Sequence, residues 1–161
     1  LPYIETASVV RKWNGVVTVT VSERVPVAIA ASADGVAMLI DGSGRVIGVH
    51  TAGDGVETVL IGVEAGAPGT LVEGVAGALE VASLLTPGMR TRVAGIATAP
   101  DGSLNLALKP QGIVIMGPPT DLPAKVDSLR TVMGQVDQRD LCTIRVITPD
   151  TPVVTRTPIC G

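Results

Sequence analysis

Phenylalanine is absent from this chain of 161 residues, and the aromatic residues are Trp13 and Tyr3 alone. So few rings offer no stacking platform for single-stranded nucleic acid. Charge argues the same way. A net charge of -3 and a pI near 5.0 leave no basic stripe for a phosphate backbone. Charged residues are also scarce, at 17%, against roughly a quarter in ordinary soluble domains. Mean hydropathy is nevertheless +0.47, and disorder goes with low hydrophobicity and high net charge. No apolar run approaches the roughly 18 residues of a membrane span, and no signal peptide is legible. The chain reads as a soluble piece of a larger protein, long enough for one sizeable core or two small ones.

Reactive groups are equally sparse. His50 is the only histidine, and no base–nucleophile spacing surrounds it, so it reads as an exposed loop residue. The chain has no H-E-x-x-H, C-x-x-C, G-x-S-x-G or G-x-x-x-x-G-K motif, which leaves no metal, redox, hydrolase or phosphate-loop signature. The stretch Asp41-Gly42-Ser43-Gly44 with Gly48 superficially resembles a dinucleotide loop. Its last glycine is one residue too far on, and a strand-like segment follows where pyrophosphate needs a helix N-terminus. A hairpin turn fits better. No cofactor is implied.

What the chain has in quantity is valine and alternation. Val17, Val19 and Val21 alternate with Thr18, Thr20 and Ser22, the period of a half-buried strand. Asn14-Gly15 predicts a two-residue hairpin turn from the strand-like residues 4–13. After Pro26 come expected strands at 27–30, 36–40, 45–50 and 58–63. Residues 70–85 change to helical spacing on Leu71, Val75, Ala78, Leu79 and Ala82, with Thr70 and Glu73 as a capping box and Pro87-Gly88 as the stop. Gly74 and Gly77 weaken that helix by about 1 kcal/mol each relative to Ala, which suits a backbone packed closely on a sheet. Strands are expected at 91–99, 104–109 and 113–117. A second helix over 121–136 follows, with Asp121–Lys125 and Asp127–Arg130 as ion pairs on its wet side. Strands at 142–148 and 152–157 close the chain. The order predicts an α+β fold: a mostly antiparallel sheet with two helices packed on it.

Two features bear on recognition. A final hairpin centred on Thr151 sets Cys142 opposite Cys160, within disulfide range; two unpaired thiols are the alternative. The last strand, Val153-Val154-Thr155-Arg156-Thr157, is short and flanked by Pro152 and Pro158. Such an edge either receives a partner's strand or is an ordinary edge blunted by its prolines.

The segments Leu1-Pro2-Tyr3-Ile4-Glu5-Thr6-Ala7-Ser8-Val9, Arg11-Lys12-Trp13 and Ser22-Glu23-Arg24-Val25-Pro26-Val27-Ala28 resemble the FtsQ/DivIB family of bacterial cell-division proteins. Weaker matches follow in order: Leu39-Ile40-Asp41 with Gly44, Gly112 through Gly117, Lys125 with Leu129, and Pro149 with Pro152-Val153-Val154. Asn14 stands where the family's Trp-Pro pair has proline. The resemblance implies the C-terminal strands of a truncated POTRA domain over 1–30 and an FtsQ-type β domain over 31–161. It implies a non-enzymatic scaffold on the extracytoplasmic side of the cell membrane, at the division septum, anchored by a single helix outside this chain. Its partners would be FtsB/DivIC-like and FtsL-like proteins. Partner contact carries over to Arg145, Ile147, Val153, Val154, Thr155, Arg156 and Thr157. Two other readings are a secreted POTRA-type translocation or adhesion module, and a small secreted hydrolase using His50, Asp41 or Asp54.

Overall fold

A computed structural model describes residues 1–137 and 139–156. The fold is α+β, with a large, mostly antiparallel sheet and few helices. Two strands, β1 (Ile4–Arg11) and β2 (Val17–Glu23), form a hairpin of their own. Its loop is longer than Asn14-Gly15 predicts. Lys12 N–H still pairs with Val16 O at 2.8 Å, and Gly15, at φ 83°, donates back to Lys12 O at 3.0 Å. The turn is therefore the three residues Trp13-Asn14-Gly15, with glycine in the left-handed position that such loops require.

Nine strands make the main sheet: β3 (Pro26–Ser32), β4 (Ala37–Asp41), β5 (Val46–Val49), β6 (Val59–Ala65), β7 (Val93–Thr98), β8 (Leu104–Leu108), β9 (Ile113–Gly117), β10 (Leu141–Arg145) and β11 (Val153–Arg156). Their spatial order is β11-β10-β9-β8-β7-β6-β3-β4-β5. β3 crosses the expected 30/31 boundary and belongs wholly to this larger sheet. Short connections give antiparallel neighbours. The pairs β6–β7 and β9–β10 are parallel because helical crossovers link them, as parallel strands require. β3 and β6 also pair in parallel.

Among the described residues there are three helices where two are expected: α1 (Ala76–Leu84), α2 (Pro87–Arg90) and α3 (Leu122–Gln135). The expected helix over 70–85 starts six residues late. Gly74 has φ 73°, which breaks a right-handed helix, and the Thr70 hydroxyl bonds Ala67 O at 2.8 Å rather than capping. α1 ends at Leu84, close to the expected stop, with Leu85 and Thr86 extended ahead of Pro87, and Pro87-Gly88 also opens α2, since proline suits the first helical turn. Gly77 answers the close-packing expectation: a Cβ there would lie 2.8 Å from Pro119 Cβ and 3.3 Å from Leu104 Cδ1.

The helices cover one face of the sheet. Leu60, Ile96, Leu106, Val114, Ile144 and Val154 stand in register across six strands. The first five are buried, and Val154 packs against them at the rim. Leu79, Val81 and Ala82 of α1 and Val126, Leu129 and Met133 of α3 join the same core. Lys125 corrects the ion-pair expectation. It is 2% exposed, and its ammonium donates to Met116 O at 3.0 Å and Pro118 O at 2.8 Å. Asp121 stays outside at the helix start with φ 52°. Asp127 and Arg130 do pair, as expected.

Candidate functional site: an open sheet edge

The two ends of the nine-stranded sheet are treated differently. At β5, residues 69–72 run along the outer side. Val46 N–H donates to Thr70 O at 2.9 Å, Gly69 N–H to Val46 O at 2.7 Å, and Val72 N–H to Gly44 O at 2.9 Å. The Arg45 guanidinium fastens this strap by donating to Gly69 O at 2.6 Å. At the other end, β11 pairs with β10 and, among the described residues, with nothing beyond it. An unpaired row of N–H and C=O groups is a template for another strand.

The site residues named from sequence fall into three groups. Val153, Val154, Thr155 and Arg156 make up β11, and Arg145 ends β10 opposite Val153. These five come together. Ile147 does not: it lies beyond β10 in the connection to β11. Val146 N–H still reaches Ile115 O on β9 at 2.9 Å, but β11 starts opposite Arg145, so Ile147 has no partner across the ladder. It lies beside Gly117 instead. Thr157 lies outside the described residues, as does Cys160.

The hairpin register also alters the cysteine geometry. Pairs Arg145–Val153, Ile144–Val154 and Thr143–Thr155 centre the turn on Pro149 rather than Thr151. A register irregularity then falls between Thr143 and Leu141, at Cys142. The turn is therefore not centred on Thr151, but Cys142 is disulfide-bonded, in line with the first of the two alternatives for the thiols. Among the described residues there is no free cysteine.

Beside the open edge lies the face of the sheet that the helices leave uncovered. Ile61, Ala97, Asn105, Ile115, Arg145 and Val153 form one row in register across it. Apart from the Asn105 amide the row is aliphatic, with one charge, Arg145. That guanidinium is exposed and makes no ion pair among the described residues. At the other end of β11, Asp137 faces the charge of Arg156. Hydrogen bonds from the Arg139 side chain and N–H, with the charges of Arg139 and Arg156, hold the Asp137 carboxyl down to about 2. It stays ionised at neutral pH, so Arg156 meets a fixed negative group and Arg145 does not.

The remaining sequence candidates do not assemble a reactive site. His50 Nδ1 lies 3.4 Å from Asp54 Oδ2, a carboxylate partner that the sequence reading missed. Asp54 is already engaged by the Thr51 N–H at 2.6 Å and the Thr51 hydroxyl at 3.1 Å. The Thr51 N–H leads in holding its carboxyl below the usual range. Asp41 belongs to a different structure, the β4–β5 turn. No group of three or more His, Cys, Asp or Glu residues that could hold a metal occurs among the described residues. Nor is any helix there long and apolar enough to cross a membrane.

Comparison with protein families and with curated proteins finds no match: neither a family model nor a curated sequence aligns with the chain.

Proposed function

We propose that this chain is the extracytoplasmic part of an FtsQ-like scaffold of the bacterial division complex, recruiting its partners by strand addition at β11. The observation that carries the reading is the asymmetry of the sheet: one end is strapped at Gly44 and Val46 by residues 69–72, and the other is open among the described residues. Main-chain hydrogen bonds from the open edge supply affinity, and alternating side chains supply register. Val154 points to the core side and Val153 to the uncovered side, so an added strand meets both surfaces. Arg145 favours a carboxylate on the incoming partner. The resemblance in the Glu23-Arg24-Val25-Pro26 region supplies the identity of those partners: FtsB/DivIC-like and FtsL-like division proteins. The parent protein is held in the cell membrane by a helix outside this chain and works at the septum without catalysing a reaction.

Calorimetric titration with a purified extracytoplasmic segment of an FtsB/DivIC-like protein tests the reading. One-to-one binding is the expected result. A folded chain that takes up no such segment contradicts it.

A further inference from the structure

Arg24 stands between the β1–β2 hairpin and the main sheet, and its side chain ties the two together. Arg24 Nη1 donates to Asp41 Oδ2 at 2.7 Å, with the side chains 17% and 6% exposed. Asp41 is held from other directions too. Its Oδ1 accepts the Ser43 N–H at 2.8 Å, the Ser43 hydroxyl at 2.6 Å and the Arg45 N–H at 2.9 Å. Burial pushes this carboxyl up, but the Ser43 hydroxyl, the Arg45 N–H, Arg24 and the Ser43 N–H outweigh it and keep the group ionised. The acceptor is thus rigid before Arg24 arrives.

The hairpin has little else to hold it. Its strands are exposed along nearly their whole length. Among the described residues, the Arg24–Asp41 bond is the one hydrogen bond between residues 1–25 and the remainder. A cleft of about 320 Å³ opens at the joint, with Glu5, Val25 and Val27 on its walls beside the ion pair. Pro2 also stands near Gly69, where a Cβ would lie 3.9 Å from its Cγ, but the ion pair is the polar tie across the joint among the described residues. Partly buried pairs are screened less than surface ones, so this one persists in physiological salt.

We infer that Arg24–Asp41 is a latch that fixes the direction of the hairpin relative to the nine-stranded sheet. With the latch closed, hairpin and sheet tumble as one body. With it broken, the chain hinges at residues 24–25, and the apolar side of the hairpin, around Val9 and Val19, no longer holds one angle to the open edge. The inference stands apart from the division reading, because it concerns the joint alone.

Residual dipolar couplings on the whole chain test it, with Arg24→Met as the variant. The three other bonds to Asp41 survive that change, and sheet amide shifts report whether the fold does. One alignment tensor should describe both units in the parent. In Arg24→Met the order of hairpin residues 4–23 should fall by about twofold or more relative to the sheet, reporting motion on timescales to milliseconds. Asp41→Asn, which keeps an acceptor for Ser43 and Arg45 but removes the charge facing Arg24, should do the same. A single tensor fitting both units in both variants would overturn the latch. So would a parent protein whose hairpin is already averaged.

Discussion

Proline at one of two adjacent positions in β11 is expected to abolish partner binding while leaving the domain folded. Neighbouring residues of a strand send their N–H groups in opposite directions, so of Val154 and Thr155 one donates toward β10 and the other outward. Proline removes a donor, and sheets accept it at edge positions whose N–H faces solvent. Val154→Pro and Thr155→Pro should therefore divide. The variant that loses the inward donor should lose about 1–3 kcal/mol of stability, the cost of leaving a ladder acceptor without its partner. The other should stay close to the parent in stability and bind its partner at least about 30-fold more weakly, the equivalent of roughly 2 kcal/mol. Urea unfolding and titration calorimetry on the pair separate the two losses. Parental affinity in both variants would remove β11 from the site.

Lys125→Met is expected to be strongly destabilising although the site lies away from the edge. The lysine stem fills core space beside Leu122 and Leu129 positions of α3, while the ammonium satisfies Met116 O and Pro118 O at the exit of β9. Methionine replaces the volume but donates nothing. Two carbonyls then lose charge-assisted hydrogen bonds worth about 1.5–3 kcal/mol each, offset in part by no longer burying an ammonium. A net loss of about 2–4 kcal/mol follows, read as a lower urea midpoint at unchanged slope. A variant as stable as the parent would mean that desolvation cancels the hydrogen bonds, leaving Lys125 tolerated rather than required.

Lysine 125 also shows where sequence patterning stops. At helical spacing from Asp121, a lysine reads as half of a surface ion pair. Only the carbonyls left by the β9–α3 turn, seen in three dimensions, explain why it turns inward. The Leu104, Leu106 and Leu108 alternation, by contrast, was legible because burial on one face of a sheet imposes period two directly. So was the α3 stripe of Val126, Leu129 and Met133. The start of α1 was misplaced because Thr70-x-x-Glu73 matches a capping box locally, whereas the φ of Gly74 is decided by the strap against β5. That strap joins residues 24 apart, such as Arg45 and Gly69, and no local signal announces it. The edge character of β11 was visible in its flanking prolines, but its register was not. The pairs nearest the turn, Arg145–Val153 to Thr143–Thr155, centre it two residues earlier than expected and leave Ile147 in the connection, and a separate irregularity falls at Cys142.

The asymmetry between the two ends of the sheet gives the account its direction. A strand edge can recruit any extended segment, so a scaffold with two open edges would polymerise or bind indiscriminately. Strapping β5 at its start with residues 69–72 leaves β11 as the less obstructed acceptor row among the described residues, and Arg145 beside it adds a charge that an incoming segment must answer. The Val-rich hairpin at the opposite pole of the chain contributes to neither.

Amide hydrogen exchange of the chain, free and saturated with an FtsB/DivIC-like segment, tests strand addition at β11 most directly. The account predicts that alternate amides of Val153–Arg156 slow on binding, because outward N–H groups gain acceptors, while residues 69–72 keep their exchange rates. Protection that appears on the β1–β2 hairpin or at β5, with β11 unchanged, would contradict it.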